Sequence, residues 1–184
     1  MAHDGTIITA LPDLTWGTDG TTTITCEESQ AFVSVDRCNF ECVAIHASAS
    51  GNRFEALEPI RQGVRQHFGG YHQQVAVGLA VRHDQGSAYL ADNFQRELKF
   101  LGMQRSPSFV REPQGNGCAE RFIRLLKETL LWVRTFDTIE ELRQTLLALK
   151  EQYNTQWILE RHGCRTPSQV RHDLSQSRIA EAAG

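Results

Sequence analysis

Polar and apolar positions in the first 50 residues follow patterns typical of β-strands. Stretches rich in β-branched residues predict three strands, at Leu14–Ile24, Ala31–Val35 and Glu41–Ala47. The residues between the second and third strands, Asp36–Phe40, predict a hairpin turn that Asp36 caps. The chain is therefore expected to open with three antiparallel strands in a row.

The pattern changes to helical spacing after Gly51. Apolar residues at intervals of three and four predict a helix over Asn52–Phe68, where Pro59 is expected to bend or break it. The continuous apolar run Val75–Val81 then predicts a buried strand parallel to the first.

A shorter helix and a last strand follow. Asp92–Leu101 predicts a helix with Asp92 as its cap and Gly102 as its end, and Met103–Ser106 predicts the strand. These elements predict a mixed α/β sheet of five strands covered by helices.

The last third of the chain reads as helical. Two prolines and two glycines predict a loop over Pro107–Gly117, and Asn116 is expected to cap a helix over Cys118–Arg134. A capping box at Thr138–Glu141 opens the next helix. Thr166-Pro167 predicts the start of a short helix that ends near Leu174.

These elements suggest one domain within the 184 residues. We expect an N-terminal extension at 1–11, a core at 12–174 and a frayed tail at 175–184. Apolar residues make up 40% and charged residues 22%, as in globular proteins, and no apolar run is long enough to span a membrane. The five scattered cysteines indicate reduced thiols, and we expect a cytoplasmic, nucleoid-associated protein.

Charge is distributed unevenly along the chain. The net charge is −3, and the first 36 residues contain no Lys or Arg. Residues 96–134 contain eight Lys or Arg against four Glu, which leaves +4 in that segment. A basic surface that binds nucleic acid is therefore expected to follow this segment.

Three carboxylates are candidates for one site. If the first and fourth strands are adjacent, Asp19 and Asp84 lie side by side. Between Asp84 and Glu120, which lies near the start of a helix, there are 35 residues. Carboxylates 4 Å apart repel by about 4 kcal/mol per ionised pair, so such a cluster requires cations. Carboxylate oxygens suit Mg²⁺ or Mn²⁺, and two such ions could promote phosphoryl transfer on a nucleic acid. Lys127, two helical turns after Glu120, is placed to hold a phosphate.

These residues resemble the catalytic core of DDE transposases and retroviral-type integrases, above all bacterial insertion-sequence transposases. The resemblance rests on Trp-Gly-Thr-Asp19, Asp84, the 35-residue gap, Gly-Asn-Gly-Cys-Ala-Glu120 and Lys127, and it covers about residues 12–172. It implies a ribonuclease-H-like fold and a transposase or integrase core that cleaves DNA ends and transfers strands by a 3′-hydroxyl. Catalysis and metal binding would fall to Asp19, Asp84 and Glu120, with Mg²⁺ or Mn²⁺ as two ions when DNA is bound. The partners would be transposon ends, target DNA and further copies of the chain, as a homodimer or higher multimer, with no membrane.

Further residues near the three carboxylates are assigned by position. We expect Lys127, Arg124, Gln114 and Asn116 to contact DNA, whereas Trp132 is expected to pack in the core or against a helix rather than to stack on bases. Because Glu120 follows a loop rich in Pro and Gly, it is expected to be the least fixed of the three carboxylates without metal and DNA.

Two departures from the family pattern are evident. Many relatives have His-Ser-Asp where this chain has Arg82-His83-Asp84, so the role of the histidine is not transferred. The DNA-binding segments that flank such cores are not found in this sequence, so we expect a core alone. Two other functions remain possible on the residues: a ribonuclease-H-like nuclease without strand transfer, and a non-catalytic domesticated interaction module.

Overall fold

The computed structural model describes residues 9–25, 28–107 and 116–183. A five-stranded sheet in the order β3-β2-β1-β4-β5 forms its centre. The strands are β1 (Thr15–Ile24), β2 (Glu28–Asp36), β3 (Cys42–Ser48), β4 (Ala80–His83) and β5 (Gln104–Pro107). β1, β2 and β3 pair antiparallel, whereas β4 pairs parallel to both β1 and β5. The predicted five-stranded mixed sheet is confirmed.

Six α-helices surround the sheet in the described part of the chain. They are α1 (Arg53–Phe68), α2 (Ser87–Leu90), α3 (Asp92–Leu101), α4 (Gly117–Leu126), α5 (Ile139–Gln156) and α6 (Pro167–Ala183). A π-helical turn, Lys127–Leu131, continues α4, and a 3₁₀ turn, Glu160–His162, precedes α6.

Each face of the sheet buries its own apolar cluster. On one face Trp16 and Val81 pack with side chains of α1 and α3, including Leu57 and Phe94. On the other face β2 and β3 pack against α4 and α5. The sheet therefore forms the middle of three layers, and β1 lies at its centre.

Thr138 caps α5 and Thr166 caps α6, as predicted, but only Thr166 forms a reciprocal capping box. Thr138 Oγ1 accepts a hydrogen bond from the Glu141 backbone N–H at 3.1 Å, but Glu141 Oε2 accepts from the N–H of Asp137. At the start of α6, Gln169 and Thr166 exchange side-chain to backbone hydrogen bonds of 2.9 and 3.2 Å. Both helices thus begin with N–H groups satisfied by side chains.

The late Tyr153-Asn154 pair fastens α5 to the hairpin between β2 and β3. The Tyr153 hydroxyl donates to the Phe40 carbonyl oxygen at 3.0 Å. The Asn154 side chain bonds both the N–H and the carbonyl oxygen of Cys42 at 2.9 Å. Because both residues are buried, these contacts fix the position of α5 against the sheet.

Several predicted elements differ from the observed ones. The run Val75–Val81 is mostly a turn, because Gln74 and Gly78 both have positive φ and only the last two residues join β4. Asp92 is the first residue of α3 and does not cap it. Pro59 lies within a continuous α1, so the predicted break is absent there.

The C-terminal helix is longer than its sequence pattern predicts. α6 extends beyond Leu174 to Ala183, so the segment expected to be a frayed tail is helical. Ala180, Ala182 and Ala183 favour helix, and the Ser175 hydroxyl bonds the carbonyl oxygen of Arg171 at 2.8 Å. The domain limits at residues 11 and 174 remain predictions.

Asp36 caps the turn before β3, as predicted, through a 2.8 Å hydrogen bond from the Cys38 N–H. It also belongs to a partly buried ionic cluster that holds α6 against the sheet. Arg171 of α6 contacts Asp13 at 2.7 Å, Asp36 at 3.5 Å, and Glu41. Burial raises the pKa of Asp36 to about 6, and the Arg171 guanidinium acts in the opposite direction.

Four cysteines lie in the described part of the chain, and all four are free thiols, in agreement with the prediction. Among the helices that the structure describes, none is both long and apolar enough to cross a membrane.

Replacement of Arg171 by Met should destabilise the fold by about 3 kcal/mol near pH 8, because it leaves three carboxylates without their cation. The folded state holds a proton on Asp36 more tightly than the unfolded state does. The stability of the folded protein therefore falls as pH rises from about 4 to 6. Without Arg171 this fall should be steeper. Urea denaturation at pH 5 and pH 8 should therefore show the larger deficit at pH 8. Equal deficits would contradict this role for Arg171.

Candidate active site

Asp19 and Asp84 are brought level by the parallel pairing of β1 with β4. The register aligns Thr15 with Ala80 and Gly17 with Arg82, and the paired region ends there. Asp19 and Asp84 each follow this last pair by two residues. Because side chains alternate along strands, Asp19 and Asp84 lie beside each other on the same face. Both carboxylates thus project from the sheet just beyond the point where the strands separate.

The start of α4 lies directly against β1 at Gly17. A Cβ atom on Gly17 would lie 2.7 Å from Asn116 Oδ1 and 2.8 Å from Cys118 Sγ, so only glycine permits this approach. Asn116 Nδ2 donates to the Thr18 carbonyl oxygen at 2.8 Å. The helix start is thereby fixed next to Asp19, and Glu120 lies in the first turn of the helix.

Asn116 was expected to cap α4 through its side chain, and that expectation is wrong. It is the residue before the helix, but its amide bonds β1 instead of the first-turn N–H groups. The bond to Thr18 satisfies a carbonyl group on the part of β1 that β4 does not reach.

A cleft of about 320 Å³ lies between β1 and α4. Its lining consists of Asp19, Gly20, Glu120, Ile123, Arg124, Lys127 and Trp132. Glu120 and Lys127 share this cleft because seven residues of α-helix return a side chain to the same face. Arg124 lies one turn after Glu120, so Asp19 on β1 faces a helical wall that carries one carboxylate and two cations.

The carboxyl group of Asp19 is electrostatically unusual. Its pKa is raised to about 6, mainly by burial and in smaller part by the negative charges of Asp84 and Glu120. The N–H of Gly20, 2.8 Å from Asp19 Oδ1, and the charge of Lys127 act in the opposite direction. The three acidic side chains therefore share one electrostatic environment.

Their donor chemistry fits a hard divalent cation. Carboxylate oxygens are the ligands that Mg²⁺ and Mn²⁺ prefer, and a cation would offset both the desolvation and the repulsion at Asp19. Among the described residues, however, no three His, Cys, Asp or Glu side chains lie close enough together to hold one ion. Asp84 and Glu120 are both exposed, and Asp84 Oδ1 accepts the Gly86 N–H at 2.8 Å. A shared ion thus requires movement of these side chains.

His83 lies in the apolar layer behind the carboxylates. Its Nδ1 is 2.6 Å from the Asp84 carbonyl oxygen, and its ring stacks on Tyr89 and meets Phe94 edge-on. Burial lowers the pKa of His83, so the imidazole is neutral at pH 7. Burial raises the pKa of Tyr89, to which the charges of Asp19 and Asp84 contribute.

The residues predicted to contact DNA occupy different environments. Lys127 and Arg124 line the cleft, but Asn116 is 2% exposed, which does not suit a DNA contact. Gln114 lies outside the described residues, as does most of the loop 107–117, so the predicted mobility of Glu120 stays a prediction. Trp132 is 70% exposed and does not pack inside the protein, contrary to the prediction.

The sequence is similar to an integrase family model and to bacterial transposases. Residues 101–167 match the family model of the integrase core domain. The chain is 30% identical to the transposase for insertion sequence element IS904 of Lactococcus lactis, over 77% of this chain and 54% of that protein. It is 25% identical to transposase InsD of Escherichia coli insertion element IS2A/D/F/H/I/K, over 68% of this chain and 42% of that protein. The chain spans about half the length of these curated relatives.

Solved structures share the fold. A chain of the simian T-cell lymphotropic virus intasome superposes with a TM-score of 0.72 at 20% identity, covering 94% of this chain and 59% of that chain. The HTLV-2 integrase catalytic core domain in complex with magnesium gives 0.64 at 18% identity, covering 89% of this chain and 99% of that one. The fold is the ribonuclease-H-like fold of integrase catalytic cores. The sequence matches confirm the predicted resemblance to the catalytic core of DDE transposases and retroviral-type integrases.

Replacement of Gly17 by Ala should push the start of α4 away from β1 and cost about 1–3 kcal/mol, because an added methyl group overpacks the contact. Gly117→Ala is the matched control, since no atom of the described residues lies within 4 Å of its added Cβ. Urea denaturation followed by circular dichroism measures both variants. If the two lose equal stability, the close contact at Gly17 does not fix the helix.

Replacement of Asp19 by Asn should stabilise the metal-free chain by about 1–3 kcal/mol at pH 8, because it removes a buried and repelled charge. In the wild type a raised carboxyl pKa means that stability falls as pH rises from about 4 to 6. The gain should therefore shrink towards pH 4. Denaturation in chelator across this range measures it, with the exposed Glu128→Gln as control. A loss of stability at pH 8 would contradict the electrostatic account.

Proposed function

We propose that this chain is the catalytic core of a DNA transposase that cleaves element ends and joins them to target DNA. One observation carries the proposal: β1 and β4 set Asp19 level with Asp84, and α4 sets Glu120 and Lys127 in the cleft that Asp19 lines. The similarity to insertion-sequence transposases supports the same reaction class.

Asp19, Asp84 and Glu120 would hold Mg²⁺ or Mn²⁺, two ions when DNA is bound. When bound, the metal would supply Lewis-acid stabilisation of the charge that develops on phosphate oxygens during transfer. Support for this choice of metal comes from the all-carboxylate donor set and from the magnesium in the complex of the HTLV-2 integrase core.

Lys127 and Arg124 would bind the DNA backbone beside the carboxylates. Both are cations on the wall of the cleft: Arg124 lies on α4, which carries Glu120, and Lys127 begins the π-helical turn that continues it. Contacts of this type position the DNA and give no sequence preference. Lys127 also lowers the pKa of Asp19, so one cation serves both the substrate and the acidic cluster.

Assembly into multimers is part of the proposal. The HTLV-2 integrase core forms a trimer in one structure and a dimer in another. A transposase that joins two ends of one element would hold both ends within one assembly, which is the reason to expect a homodimer or larger form here.

The direct test is strand transfer by this chain with Mn²⁺ or Mg²⁺. The substrates are short duplexes with exposed 3′-hydroxyl ends and a supercoiled plasmid, and a branched DNA that mimics the joined product serves as a second substrate. We expect joined product from the wild type, and at least ~100-fold less from Glu120→Gln, because a metal ligand is lost. Glu128→Gln, an exposed glutamate in the adjoining π-helical turn, should keep full activity.

Other outcomes separate the alternative functions. Nicked DNA without joined product would indicate a ribonuclease-H-like nuclease. The absence of both products, together with no binding of Mn²⁺ by calorimetry at millimolar concentration, would indicate a non-catalytic module. Equal activity in wild type and Glu120→Gln would contradict the assignment of the carboxylates.

A further inference from the structure

Trp132 is a large aromatic residue held out into solvent beside the candidate active site. Its side chain is 70% exposed, although the neighbouring Leu130 is buried. The backbone beneath it is firmly fixed: the Trp132 N–H donates to the Lys127 carbonyl oxygen at 3.0 Å, and the Arg134 N–H donates to that of Leu130 at 3.0 Å. The indole therefore projects from a fixed point at the end of the π-helical turn. Such turns are rare and occur often at functional sites.

Two cavities meet at this side chain. One is the 320 Å³ cleft with Asp19, Glu120 and Lys127, and Trp132 forms part of its wall. The other, of about 420 Å³, is lined by Thr22, Thr23 and residues 131–135, so it also includes Trp132. The two cavities follow one another along β1, since Asp19 and Gly20 line the first, whereas Thr22 and Thr23 line the second.

The second cavity has an apolar side, formed by Leu131, Trp132 and Val133, and a polar side, formed by the threonines of β1. Between Thr18, whose carbonyl oxygen Asn116 bonds, and Thr25, which forms a parallel bridge with Phe136, no described strand pairs with the β4 side of β1, so this short stretch of edge presents backbone polar groups to the cavity. The threonine hydroxyls add further polar groups. A protein partner with an apolar surface would leave these groups without hydrogen bonds, whereas a nucleotide presents both an aromatic face and polar edges.

The charges around the indole also favour a nucleic acid. Arg124 and Lys127 lie in the first cavity and would hold backbone phosphates. Arg134 is already committed to the protein, because it contacts Glu141 at 2.7 Å and stacks on Phe136. A strand bound by the first two cations would therefore pass the indole as it leaves the cleft.

We propose that Trp132 stacks on an unpaired base of the DNA substrate, in the nucleotide next to the phosphate that reacts at the carboxylate cluster. This subsite rests on the proposed function and refines it. The base must be unpaired, because a base within a duplex is already stacked on both faces. The chain should thus prefer DNA whose ends are frayed or single-stranded near the reacting phosphate.

Fluorescence anisotropy in metal-free buffer tests the subsite with a labelled single-stranded oligonucleotide and a blunt duplex of the same sequence. Trp132→Ala should weaken single-strand binding about tenfold and duplex binding less than twofold. Trp132→Tyr should restore most of the single-strand affinity because it keeps an aromatic face. Ile179→Ala, an exposed apolar side chain on α6, should change neither value. Circular dichroism confirms that each variant is folded.

Each contrary result has a distinct meaning. If Trp132→Ala binds both DNA forms like the wild type, or loses both equally, the stacking subsite is wrong. Lys127→Ala should weaken both forms, so a loss in that variant alone would leave the proposed function standing without the subsite. If no variant and no wild type binds DNA, both proposals fail. If Trp132→Ala changes only self-association in sedimentation, this face binds a second copy and the subsite is overturned.

Discussion

The short parallel pairing of β1 with β4 is the constraint on which the candidate site depends. It covers only three residue pairs, from Thr15 with Ala80 to Gly17 with Arg82. Because it ends there, the next side chains on the same face, Asp19 and Asp84, lie beyond the paired region and not within it. If β1 and β4 continued to pair, ladder hydrogen bonds would join the backbone at Asp19 to the backbone at Asp84. Because β4 separates from β1 there, the edge of β1 is exposed to the 420 Å³ cavity that Trp132 lines.

The helix that brings Glu120 depends on the same point. α4 reaches β1 only because Gly17 has no side chain, and Asn116 bonds the Thr18 carbonyl oxygen one residue later. Close backbone contact thus sets the acidic cluster, while burial and mutual repulsion raise the pKa of Asp19 to about 6. Because the raised pKa disfavours the ionised carboxylate, the folded chain loses some stability at neutral pH by burying Asp19 beside two other acidic side chains.

Features that follow from the order of the elements or from helical periodicity were predictable from the sequence. The adjacency of Asp19 and Asp84 follows from the strand, helix, strand order, and the shared face of Glu120 and Lys127 follows from helical periodicity. Features decided by single contacts between residues far apart in the sequence were not predictable. Asn116 was assigned a local cap, but its partner Thr18 lies 98 residues away along the chain. Trp132 was assigned to the interior on composition alone, because no periodicity reveals a π-helical turn. Val75–Val81 was assigned to a strand, whereas hydrogen bonds from Gln74 and Ala76 to the end of α3 hold it as a turn.

We propose that Asp19, Asp84 and Glu120 converge on divalent metal when DNA is present. Electron paramagnetic resonance of Mn²⁺ measures this directly, because the free ion gives a sharp six-line signal that binding removes. We expect branched DNA to increase the number of bound ions in the wild type and to have no such effect in a variant with Asn, Asn and Gln at the three positions. Equal binding by the two proteins, or none at millimolar Mn²⁺ with DNA present, would contradict the account.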